Sequence, residues 1–255
     1  MASAALVACS AEEETSPPAD ASADQCSSPS AGSPTNFALS FDGLGDYATM
    51  GTASFVSGNQ PQAVSAWVFF ASTSGTQDVI TLRSDFASGY ILGIRGGTLG
   101  MFNVNPLTGR AIVSAPNLPA VQTWVHLAYV YDGTTAYFYV NGAVVDSSPT
   151  PQSSLNNQIP TSAWIGTLDG YSQFFQGEVD EIRIWGTARK TADILADMQG
   201  TTAPDAPGLV AYFDCDEICG TRLPDESGTG NDATLGGGDP AFTPQLVEAD
   251  VPPDS

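Results

Sequence analysis

Few residues here can do chemistry, because the 255-residue chain holds one histidine, four cysteines and 7 Lys+Arg against 28 Asp+Glu. Strand alternation places Asp180 in one row with Ile182 and Ile184, so an acid is expected to enter a core-facing row. A buried carboxylate there requires a cation or several N–H donors. The competing partners are Arg183 or a backbone amide. Cys215-Asp-Glu-Ile-Cys219 has a three-residue gap that suits a disulfide across a turn. A redox-active pair is the alternative, but Asp214, Asp216 and Glu217 disfavour a thiolate. A structural Cys215–Cys219 disulfide is therefore expected. His126 alone could serve a Ser-His-Asp triad, and a half-buried structural role is the expected one. Asp225-x-Ser227-x-Thr229-Gly230 has the look of an EF-hand loop, but its twelfth position is Gly236 and no helices flank it, so a Gly-rich turn is expected.

At the N-terminus, Leu6-Val7-Ala8-Cys9 resembles the lipobox of bacterial lipoproteins, where the Cys is lipidated and becomes the new terminus. The alternative is a chance Cys in an Ala-rich start. If Cys9 is the anchor, Cys26 is left over; otherwise Cys9 and Cys26 can pair. Residues 1–36 carry five acids, no base and no aromatic, and read as a disordered acidic tether. From Cys9 such a coil would span about 30 Å. Residues 248–255, with Pro252 and Pro253, read as a disordered tail. No stretch of the sequence is long and apolar enough for a transmembrane helix.

A net charge of −21 excludes a nucleic-acid partner, since a phosphate backbone would be repelled. Eleven acids and one base lie after residue 204, so the acidity gathers in the closing segment and the tether.

These groups need elements to hold them. From Asn36 onward the pattern has period two. Trp124–Tyr131 alternates with both faces largely apolar, as in a strand buried within a sandwich. Asp132-Gly133 and Asn141-Gly142 mark hairpin turns to 135–140 and 143–145. Further strands are expected at 37–42, 63–70, 78–82, 90–94, 98–104, 161–166, 174–185, 208–213 and 242–247. One short helix, capped by Thr191 and stopped by Gly200, is expected as a lid on one end of the sandwich. The fold class is all-β: an antiparallel two-sheet jelly-roll sandwich over residues 37–247.

Phe41-Asp42-Gly43-Leu44-Gly45-Asp46-Tyr47 resembles the opening motif of laminin-G-like jelly-roll domains of the concanavalin A-like superfamily. Trp124-x-His126-x-Ala128, Tyr139-Val140-Asn141-Gly142, Trp164-Ile165-Gly166 and Gly177–Trp185 resemble its central and late strands. Gly208–Asp214 and Asp225–Asp232 resemble its closing elements, read here as strands of the same sandwich. The resemblance implies a structural calcium ion between the FDG turn and the DE strand, with Asp42 and Asp180 as ligands. It places His126 on a structural strand. Glucanases of this shape carry E-x-D-x-x-E; here Glu178-Val-Asp180 is followed by Arg183, so the third carboxylate is missing and no enzymatic activity is expected.

The expectation is a monomeric, exported binding module of a bacterial cell envelope, recognising glycans or an extracellular protein. It would meet the membrane only through a lipid at Cys9. Tyr171, Phe174 and Phe175 are candidates for stacking on sugar rings; folding back onto the core is their alternative. A carbohydrate-active enzyme of the same fold and a purely structural or adhesive protein are the competing functions.

Overall fold

A computed structural model describes residues 26–27, 36–51, 55, 58–85, 88–103, 111–150 and 159–252. The first strands are β1 (Cys26–Ser27), β2 (Phe37–Asp42), β3 (Ala48–Met50), β4 (Gln62–Phe70), β5 (Gln77–Asp85), β6 (Ser88–Arg95), β7 (Thr98–Asn103), β8 (Ala111–Ser114) and β9 (Trp124–Tyr131). There follow β10 (Thr135–Val140), β11 (Ala143–Pro149), β12 (Ser162–Ile165), β13 (Gln176–Trp185), helix α1 (Thr191–Met198), β14 (Leu209–Phe213), β15 (Ile218–Cys219), β16 (Arg222–Leu223), β17 (Ala233–Leu235) and β18 (Gln245–Glu248).

One sheet runs β1-β15-β16-β17-β3-β12-β5-β6-β7-β8, and the other β11-β10-β9-β4-β13-β2-β18 with β14 also on β13. Neighbouring strands pair antiparallel, giving the expected jelly-roll sandwich. Inward residues of both sheets, among them Leu39, Val64, Ile80, Leu92, Leu127 and Ile184, form one core. The segment after Gly208 closes this same sandwich: β14 pairs β13, β17 pairs β3 and β18 pairs β2.

The outward face of the second sheet is buried too, which is why Trp124–Tyr131 is apolar on both sides. Ala63, Ala128, Val130, Tyr139, Trp185 and Ile194 form a smaller core beneath α1. The helix thus covers a sheet face and does not cap one end of the sandwich. Its cap is Lys190 rather than Thr191: the Lys190 amide donates to Asp193 Oδ2 at 2.9 Å. The hydroxyl of Thr191 faces that of Tyr139 at 3.3 Å.

Both expected disordered ends need revision where they are described. Cys26–Ser27 pair with Ile218–Cys219 at the edge of the first sheet. At the other end, Glu248 pairs with Phe37 and Val251 is buried, because the chain continues along β2. Cys9 and the rest of the tether, residues 1–25 and 28–35, lie outside the described residues, as do 253–255.

Candidate ligand-binding site

Three connections meet at one end of the sandwich: the turn 42–46, the loop 71–76 and the loop 166–175. Strand register brings them together, since Gln176 stands opposite Asp42 and Gly177 opposite both Phe41 and Phe70. Gly43 has φ +79°, and a Cβ there would lie 2.9 Å from Gln176 Cβ, so only glycine lets the turn approach so closely. Between the connections lies a cleft of about 410 Å³. It is lined by Ser72, Ser74 and Thr76, by Gln77, Gln173 and Gln176, and by Gly43 and Phe174.

The walls are held by side chains beneath them. Gln77 donates to the carbonyls of Ser72 at 2.8 Å and Ser74 at 3.0 Å, and accepts from the Gln176 amide at 3.0 Å. It therefore locks loop 71–76 to the start of β13. Arg95 donates to both oxygens of Asp78 and to Oε1 of Gln173, which sits at φ +59°. Burial, opposed by Arg95, pushes the Asp78 carboxyl up to about 6. Asp169 receives the Tyr171 amide and the Ser172 hydroxyl, each at 3.1 Å, while Arg83 donates to Leu168 O at 3.2 Å. A polar, aromatic-edged cleft on a fixed frame can bind a ring-shaped hydroxylated ligand without first ordering its own loops.

The three candidate aromatics separate. Tyr171 is 89% exposed, Phe174 lines the cleft, and Phe175 is wholly buried against Phe41 and Phe70. Phe175 is therefore removed from the candidates: its amide bonds Gly166 O at 2.9 Å and turns the ring inward.

Asp42 and Asp180 do not share a site. Asp42 is exposed and accepts from the Leu44 and Gly45 amides at 2.7 and 3.1 Å, closing its own turn. Asp180 lies four residues along β13 from Asp42's partner Gln176, about 13 Å at strand spacing. It also leaves the row of Ile182 and Ile184. Glu181 adopts φ +53° and the ladder with β4 shifts between Asp180 and Arg183, so Val179 takes the core phase. Asp180 instead stands opposite Trp67, whose indole donates to Met198 O of α1 at 3.2 Å.

Asp180 is nonetheless unusual. It has no exposure; Oδ1 accepts from the Glu181 amide at 2.7 Å, and Oδ2 has no partner. Burial, then the charge of Glu181, raises its carboxyl well above the ordinary range, with Asp216 and Asp214 adding to the effect. A carboxylate so placed needs a proton or a cation. Asp42 lies too far along the strand pair to share a cation with Asp180. Arg183 pairs with Glu181 Oε2 at 2.6 Å and lies 4.1 Å from the Tyr212 ring centre.

The cysteine pairing is also corrected. Cys219 is bonded to Cys26, and Cys215 is a buried free thiol. Cys215 sits at φ +56° and lies in the sandwich core, whereas Cys219 lies in β15 beside β1. Among the described residues, the one convergent set of three His, Cys, Asp or Glu ligand atoms is Cys26, Glu217 and Cys219, two of which the disulfide consumes.

His126 is buried against Trp67 with ring centres 5.4 Å apart, and neither ring nitrogen has a hydrogen-bond partner. Burial lowers its pKa to about 3. Asp225 organises the turn after β16, accepting from the amides of Tyr212, Ser227 and Asn231. Both are structural groups.

Sequence reasoning missed Gln77, Arg95 and Gln173. The run Ser72-Thr-Ser-Gly-Thr-Gln77 was the available signal for the cleft's hydroxyl wall.

Residues 41–195 match a family described as the concanavalin A-like lectin/glucanases superfamily. Mouse pappalysin-1 is 29% identical over 109 residues, 41% of this chain but 7% of that protein. A candidate carbohydrate-binding protein from Bacteroides ovatus superposes with a TM-score of 0.65 at 17% identity, covering 85% of this chain and 60% of that one. A heptameric SAP-like pentraxin from Limulus polyphemus superposes with a TM-score of 0.52 at 14% identity, covering 68% and 85%. The chain thus spans a small part of the pappalysin and three fifths of the Bacteroides protein.

Proposed function

Because the chain belongs to the concanavalin A-like lectin/glucanase superfamily, we propose that it is a non-catalytic module that binds a glycan in the cleft between turn 42–46, loop 71–76 and loop 166–175. The observation that carries this reading is the cleft itself: hydroxyl- and amide-bearing residues line it together with one aromatic, Phe174, on loops held by Gln77 and Arg95. Hydroxyls and amides exchange hydrogen bonds with sugar hydroxyls, and a ring face packs on the apolar face of a sugar. The description of the Bacteroides protein as a candidate carbohydrate binder points the same way.

Binding is favoured over catalysis because the carboxylates are badly placed for hydrolysis. Asp180, one of the Glu178–Asp180 pair, is wholly buried and out of reach of a sugar. A structural calcium ion at Asp180 belongs to the proposal, with Glu181, Asp216 and Asp214 the further acids whose charges act on it. The Cys26–Cys219 disulfide supports an exported setting, where such bonds persist. Lipidation at Cys9 is the proposed means of attachment to a bacterial envelope, and the module is proposed to act as a monomer. The experiment is a glycan array probed with the full chain: specific retention supports the reading, turnover of a retained glycan overturns its non-catalytic part, and silence across the array overturns it.

A further inference from the structure

One residue of the cleft wall is held in a strained shape through both its backbone and its side chain. Gln173 is not a glycine, yet it sits at φ +59°, where an L side chain crowds its own backbone. Two contacts keep it there. Its carbonyl accepts from the Asp78 amide at 3.1 Å, and its Oε1 accepts from Nη2 of Arg95. Asp78 has no exposure, and Arg95 donates to both of its carboxylate oxygens. One ion pair therefore fixes the main chain and the side chain of Gln173 together.

The sequence makes room for that pair. Gly93 of β6 stands opposite Asp78, and a Cβ there would lie 2.3 Å from Gln77 O and 3.3 Å from Asp78 Oδ1. Glycine lets β6 pass this close to the carboxylate. A buried carboxylate and a left-handed glutamine each oppose folding. Their meeting under one cleft wall marks a residue held for binding and not for packing.

The hydrogen bonds then leave Gln173 one capacity. Oε1 is taken by Arg95, so Nε2 with its two hydrogens is the end that remains, and it donates to no described residue. Other side chains of the cleft are already engaged. Gln77 Nε2 donates to the carbonyls of Ser72 and Ser74, its Oε1 accepts from the Gln176 amide, and the Ser72 and Ser74 hydroxyls bond each other at 3.0 Å. Phe174, the aromatic of the cleft, follows Gln173 directly in the chain. Among the described residues no charged side chain lines the cleft, and the arginines of this end, Arg83 and Arg95, are paired with Asp169 and Asp78.

We infer that Gln173 is the specificity-determining residue of the cleft, donating through Nε2 to an oxygen of an uncharged sugar whose ring packs on Phe174, a role that rests on the glycan-binding reading above. Asp78 and Arg95 are positioning residues that aim this donor. A sugar lacking an acceptor oxygen at that place leaves the amide unpaired and is rejected. An anionic sugar finds no counter-charge unless Arg95 releases Asp78.

The test is calorimetric titration of the full chain with cellotriose, xylotriose, mannotriose, chitotriose and trigalacturonate. Wild type, Gln173→Glu, Gln173→Met and Phe174→Ala are compared, each with its melting temperature. Gln173→Glu keeps the shape and the acceptor for Arg95 but replaces the donor with a second acceptor, and Gln173→Met removes both polar ends. The expected result is a neutral trisaccharide bound by wild type and weakened about tenfold or more in each Gln173 variant. The Gln173 side-chain amide signals in ¹⁵N–¹H spectra of wild type are expected to move on the same titration. Unchanged affinity in both Gln173 variants, or unmoved amide signals, with Phe174→Ala damaging, overturns the role of Gln173 and leaves the cleft. Preference for trigalacturonate overturns the uncharged class. No binding of any probe by wild type overturns the inference together with the function on which it rests.

Discussion

Arg95 grips Asp78 through two hydrogen bonds, Nε to Oδ1 at 3.1 Å and Nη2 to Oδ2 at 2.5 Å. The same guanidinium bonds the Gln173 side chain, so a strand of the first sheet sets the position of a cleft wall. Arg95→Gln loses the ion pair and loosens Gln173. Glycan affinity is expected to fall about tenfold with the strand content unchanged, as read by calorimetry and circular dichroism.

The same pair gives binding a pH dependence. Asp78, held up to about 6 by burial, loses its charge below that pH and with it the grip on Arg95. Affinity should therefore fall between pH 7 and 5, and Asp78→Asn should show the low-pH affinity throughout. Stability moves oppositely: a carboxyl whose folded pKa exceeds the ordinary 3.8 contributes fully below about pH 4, and loses that contribution as pH rises through about 6. Loss of binding on acidification is thus not loss of this group's share of the fold. Arg83 and Asp169 also act on Asp78, so Asp169→Asn should shift the midpoint down.

His126 titrates with the other sign. Its folded pKa of about 3 lies below the ordinary 6.5, because burial, then Arg183, penalises the cation. The unfolded chain takes up the proton first. Stability from this group is present above about pH 6.5 and is lost as pH falls toward 3. His126→Phe should flatten that part of the profile, measured by urea unfolding at pH 7 and pH 4.

Cys26 and Cys219 close a loop of 193 residues. Cys26→Ser should cost about 2–5 kcal/mol of stability. Non-reducing peptide mapping should recover the Cys26–Cys219 pair, with Cys215 protected from alkylation until the chain unfolds. A Cys215–Cys219 peptide would contradict the structure.

The bulge at Glu181 explains why the position of Asp180 was not legible in the sequence. A strict period of two puts Asp180 beside Ile182; one residue at positive φ moves it to the opposite face, and composition carries no mark of that step. A long strand such as β9 was readable because its eight residues repeat the alternation without a break. By contrast, β3, β15, β16 and β17, of two or three residues, are too short to show a period. The cleft was invisible for another reason: Gln77, Gln173 and Gln176 meet through register and turn geometry, while Phe174 and Phe175 differ only in which way the chain turns.

Calcium has its own test in Asp180. The full chain should melt at a higher temperature with Ca²⁺ than with EDTA, and Asp180→Asn should abolish the difference. Asp42→Asn should leave the difference in place while loosening its own turn. A wild-type melting temperature indifferent to both additions removes the cation from the account.

The central claim is that the Phe174 cleft holds a glycan. Its most direct measurement is titration of wild type and Phe174→Ala with the strongest ligand from the array, at matched melting temperatures. The account predicts saturable binding by wild type and a loss of about tenfold or more in the variant. Equal affinity in both proteins would contradict it.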